Sequence, residues 1–120
     1  MEIKKIIKVP PYYCDVVMIL TDSFKDTNYK HKLFLTDIDI SGNYSMMVVI
    51  LPYPNGCARY YLLIDSTVKQ SVGDIAHEAK HLVNKIYLSH GCLLDEDNDE
   101  PECYLLGWIT NRINEFINGK

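Results

Sequence analysis

His77, Glu78 and His81 stand within the run DIAHEAKHLV, residues 74–83, at the spacing H-E-x-x-H. In a helix, residues four apart lie about one turn apart on nearly the same face, so the two imidazoles can aim at one point, an arrangement that suits Zn2+. Glu78 is turned by about 100° from His77, which sets its carboxylate beside the ion, where it can accept a proton from an activated water. Two histidines and a glutamate are also ordinary residues on a solvated helix face, and so short a pattern recurs by chance. What favours the metal reading is position: the pair lies beside an apolar stripe on a strongly periodic segment.

A catalytic zinc takes three protein ligands. His90 follows His81 by nine residues, too far along the axis to close the same site, and no glycine lies between them as the histidine-terminated extended motif requires. His31 falls in a segment of undecided structure. The six acids from Asp95 to Glu102 are better candidates, although most such runs are solvated loops. Asp95, Asp97 and Asp99 imitate the opening of a calcium loop, but Glu100 replaces its glycine and Leu106 its final glutamate. Asp99 with Glu102 makes a capping-box pattern, and Pro101 suits a first helical turn. That leaves Glu100 free to act as third ligand, with Asp97, Asp99 and Glu102 as alternatives. Tyr104, one turn on from Glu100, can offer its phenol to a developing oxyanion, and Gly107 permits close helix approach.

Helical periodicity begins near Val68. Val72, Ile75, Ala76, Ala79, Leu82, Val83 and Ile86 form a stripe, and Gly91 is a natural stop. A second helix is expected over 100–118, with Cys103, Leu106, Ile109, Ile113, Phe116 and Ile117 on one face and Trp108 in the core. The first half is strand-like over 12–21, 44–53 and 58–67, with a possible lysine-guarded edge strand at 3–9. Pro54, Asn55 and Gly56 signal a hairpin between the last two long strands. Residues 22–43 are too weakly periodic to assign. The fold class expected is α+β: one domain over 1–120, a small antiparallel sheet followed by a helix pair carrying the metal site.

The chain has 120 residues, enough for one core, with 48% apolar residues and a net charge of −4, against which nucleic acid and anionic membrane are poor partners. No run reaches the roughly 18 apolar residues of a membrane span, and the N-terminus lacks a signal-peptide pattern, so a cytoplasmic location is expected. Four scattered cysteines without a C-x-x-C pair read as reduced and mostly buried.

The segment from His77 through the DEPECY run to Gly107-Trp108 resembles short zincin-type metallopeptidase-like proteins of phages and prophages, in which H-E-x-x-H precedes an acidic D-E-P-x-x-Y segment and a G-W pair. The resemblance spans roughly residues 58–118. It implies a minimal zincin-like domain with His77, His81 and Glu100 as zinc ligands, Glu78 as general base, and a peptide or protein as substrate. The expected function is zinc-dependent peptide-bond hydrolysis. The alternative is a catalytically silent zincin-like module that holds a regulatory protein partner. The strand at 58–67 is the expected docking edge for an extended substrate.

Overall fold

The computed structural model describes residues 1–12, 14–42, 44–52 and 58–119. Elements follow in the order β1 (Glu2–Val9), β2 (Cys14–Thr21), α1 (Phe24–His31), α2 (Asp37–Ser41), β3 (Met46–Pro52), β4 (Ala58–Asp65), α3 (Val72–Ser89) and α4 (Glu100–Asn118). The α+β class holds. The expected hairpin turn at Pro54–Gly56 lies outside the described residues, but β3 and β4 do pair antiparallel, from Met46↔Ile64 to Pro52↔Ala58.

The sheet is mixed, with strand order β1-β2-β4-β3, and this corrects the antiparallel expectation: β2 and β4 run parallel, in register from Val16↔Tyr60 to Thr21↔Asp65. The reason lies in the segment that periodicity leaves undecided. Between β2 and β3 stand α1 and α2, within residues 24–41, which carry the chain from β2 to the far edge before β4 returns between the two strands. The two central strands are therefore covered on both faces. Val16, Met18, Tyr60, Leu62 and Ile64 pack toward α3 and α4, while Val17, Ile19, Tyr61 and Leu63 pack with Leu33, Phe24 and Leu35 on the opposite face. Strands buried on both faces read as continuous apolar runs, as VVMIL and YYLLI do.

Helix α3 begins with a capping box: Asp74 N–H donates to Ser71 Oγ at 3.0 Å, and Ser71 N–H donates to Asp74 Oδ2 at 3.2 Å. It buries Ile75, Ala79, Leu82, Val83, Ile86 and Tyr87, whereas Val72 and Ala76, placed on the stripe by periodicity, are exposed. Gly91 stops the helix region at φ +69, the left-handed backbone that glycine adopts without strain. In α4 the buried residues are Leu105, Ile109 and Ile113, with Leu106, Trp108, Phe116 and Ile117 half-buried against the same core. Cys103 is exposed rather than on the buried face, and Cys14 and Cys92 are only half-buried, so these three cysteines are less buried than their type suggests; Cys57 lies outside the described residues. Gly107 faces open space, so the close helix approach expected there is not made.

Strand β3 is an edge, and its register fixes which backbone groups are spare. Asp65 N–H donates to Ser45 O at 2.9 Å. Hydrogen-bonded and non-hydrogen-bonded pairs alternate along an antiparallel ladder, so Met47, Val49 and Leu51 bond to β4 while Met46, Val48 and Ile50 turn their amide and carbonyl groups outward. Gln70, just before α3, anchors one end of this edge: its Nε2 donates to Ser45 O at 3.0 Å, and Ser45 Oγ donates to its Oε1 at 3.2 Å.

Candidate metal centre

The middle of α3 brings His77, Glu78 and His81 together, with one potential ligand atom from each lying within 4.8 Å of the others. The two histidines are exposed and Glu78 is buried. Helical geometry accounts for the difference. Glu78 lies about 40° around the helix from buried Leu82, at the border of the core, while His77 and His81 lie further round toward solvent. The imidazoles meet edge to face with centroids 4.7 Å apart, and their Nε2 atoms are 3.2 Å apart. One neutral ring can donate to the other at that distance. It is also close to the separation of about 3.3 Å expected for two nitrogens held at roughly 2.05 Å on a tetrahedral zinc. The spacing of the donor pair is therefore compatible with one shared ion.

Glu78 is 8% exposed, and its Oε2 finds no hydrogen-bond partner among the described residues. Burial pushes its carboxyl above the usual range, while His81 and His77 pull it back. A buried carboxylate oxygen without a partner is costly, and such an atom in a native fold calls for an explanation. Beside the two imidazoles, this oxygen is placed where it can accept from a water or a ligand.

The centre opens on a groove of about 880 Å³ that follows β3, with Asp74, His77, Glu78, His81 and Lys85 on one side and Leu33, Phe34 and Leu35 on the other. The strand beside the site is therefore β3. Strand β4, expected as the docking edge, is paired on both sides by β2 and β3 and has no edge to offer.

The remaining candidates fall elsewhere. His31 Nε2 lies 3.2 Å from Glu2 Oε2 of β1, and His90 donates from Nδ1 to Ile86 O at 2.7 Å and packs against Tyr12. Asp99 is the N-cap of α4 but makes no side-chain cap bond, so the expected capping box with Glu102 does not form. Glu102 instead reaches α3 and binds Lys80 Nζ. That contact docks the first turn of α4 on the flank of the turn that bears the histidines. Glu100 and Tyr104 are both exposed, Tyr104 at 74%; Glu100 stands outside the three-residue cluster, and neither lines the groove. The fold does not show the metal site on a helix pair: the three-residue cluster belongs to α3 and lines the groove beside β3. Sequence reasoning missed Lys80 and the edge strand, and only the MMVVILP run, free of charge, hinted that β3 borders something apolar.

Comparisons with protein-family models, curated proteins and solved structures find no match for this chain. Among the described residues, no helix is long and apolar enough to cross a membrane.

Proposed function

We propose that this protein is a zinc-dependent metallopeptidase-like protein that cleaves an extended peptide lying along β3. The observation carrying this reading is the 3.2 Å approach of the His77 and His81 Nε2 atoms beside buried Glu78, whose Oε2 has no hydrogen-bond partner among the described residues. His77 and His81 hold the metal, which when bound supplies the Lewis acidity that activates water and polarises a carbonyl. Glu78 takes the proton of the attacking water on its spare oxygen and passes it to the leaving amine. Without metal, burial raises its carboxyl above the usual range, while His81 and His77 pull it back. The outward amide and carbonyl groups of Met46, Val48 and Ile50 align the peptide by strand addition, so the scissile bond is held instead of diffusing past.

Glu100 is the proposed third ligand and Tyr104 the proposed oxyanion donor. Both roles require the first turn of α4 to close over the histidines from the flank where Glu102 now holds Lys80. Metal analysis of purified variants tests the set. His81→Ala is expected to lose zinc, and Glu78→Gln to keep zinc and lose hydrolysis. Glu100→Ala is expected to weaken zinc binding, and full retention moves the third ligand to Asp97, Asp99 or Glu102. One observation favours a second reading, a silent module that holds a protein partner: among the described residues the only carboxylate grouped with the two histidines is Glu78 itself, and Glu100 stands outside the cluster. Peptide retention without cleavage by zinc-loaded wild type is the result that selects it.

A further inference from the structure

Phe34 has two costly features at once. It is a bulky residue at φ +60, and its ring is 84% exposed. The conformation is held from both sides. Leu33 is buried in the lower core and its N–H donates to Asn28 O at 3.2 Å, while Leu35 N–H donates to Asn28 Oδ1 at 2.9 Å. One asparagine thus clamps the residues flanking Phe34. A strained backbone over-determined by its surroundings and set at the rim of a candidate site is the kind of outlier that points to use.

Its position says what that use is. Leu33 and Leu35 pack on the sheet face that carries Met47, Val49 and Leu51, opposite the face covered by α3 and the histidines. The groove is lined by residues from both faces of β3, and apart from those of α3 its described lining joins Leu33, Leu35 and Tyr44 to the strand, with Asp39 the one charged residue. A peptide added to β3 continues the pleat, so alternate side chains turn toward the histidines and toward Phe34. Apolar walls with a lone carboxylate suit a large uncharged side chain and disfavour an acidic one.

We propose that Phe34 is a specificity-determining contact that selects a bulky apolar or aromatic side chain at one position of the bound peptide, an inference that rests on strand addition to β3. The test uses binding, so that it does not depend on turnover. Full-length Glu78→Gln protein is applied to an array of immobilised octapeptides in which each position is varied in turn, alongside Glu78→Gln/Phe34→Ala and Glu78→Gln/Phe34→Gly. Glycine accepts the left-handed backbone, so the last variant removes the ring without disturbing the loop. Glu78→Gln is expected to favour Phe, Leu or Met over Gly or Asp at one position by about tenfold or more, and both double variants to reduce that preference to about twofold while leaving other positions unchanged. An unaltered preference in the Gly variant, or no preference at any position, overturns the role of Phe34. Retention of no peptide by any of the proteins overturns it together with strand addition. A Phe34-dependent preference in a protein whose zinc-loaded wild type cleaves nothing sustains this inference and ends the peptidase reading.

Discussion

Replacing Glu78 with methionine should make the metal-free protein more stable. The carboxylate is 8% exposed and its Oε2 has no partner among the described residues, so the fold carries the desolvation cost of an unpaired polar atom, about 1–3 kcal/mol for such groups. Methionine has similar length, no polar atom, and enough flexibility to fill the space against Leu82 and the sheet. For a domain of this size, 1 kcal/mol corresponds to roughly 4 °C in melting temperature, so the gain is about 4–12 °C. Attraction to His77 and His81 trims it toward the lower end. The assay is thermal unfolding followed by circular dichroism in chelator, repeated with zinc. Zinc at about 100 times its Kd adds about 2.7 kcal/mol to whichever protein binds it, and Glu78→Met should retain that increment because both histidines remain. A Glu78→Met protein less stable than wild type by more than about 1 kcal/mol would falsify the reasoning, since the carboxylate would then be a structural group.

The strand register separates two proline substitutions. Val48→Pro removes an outward amide and should leave the fold intact while abolishing peptide binding, whereas Val49→Pro removes a ladder bond to β4 and should cost about 3 kcal/mol or more in urea unfolding. Equal destabilisation by the two would show that the edge register is wrong. Ser71→Ala removes the capping box of α3 and should cost about 1 kcal/mol by the same measure; an unchanged midpoint would remove the cap from the account of α3. Glu2 accepts from Thr27, Lys30 and His31; burial raises its carboxyl, but the Lys30 and His31 contacts outweigh this and hold it below the usual range. A lowered folded pKa contributes stability that is full above the unfolded value and is lost as pH falls through the folded one. Glu2→Gln should therefore destabilise at neutral pH by about 1 kcal/mol, with the difference from wild type vanishing in acid; a difference that persists at pH 2 would assign it to packing.

The helices and the motif were legible because they rest on local rules. Ile75, Ala79, Leu82, Val83 and Ile86 repeat at helical steps, and H-E-x-x-H needs only the geometry of one helix. What escaped depends on contacts distant in sequence. The neighbours of β4 are set by the path of residues 22–43, whose α1 has few apolar positions to reveal it. Glu102 has the spacing of a capping residue, yet Lys80 across the helix pair competes for it and wins. The left-handed Phe34 depends on Asn28 and on the burial of Leu33, which no window around residue 34 discloses. The continuous runs of β2 and β4 did carry a signal, since an outer antiparallel strand alternates and these do not.

The two margins of the sheet are guarded unequally. β1 presents Lys4, Lys5 and Lys8, charges that discourage a foreign strand, while Met46–Pro52 carries none. An undefended margin does not distinguish a substrate from a sister chain. If β3 captures a peptide as proposed, self-association through the same strand is its natural competitor, so crowding of the protein and occupancy of its groove would oppose each other.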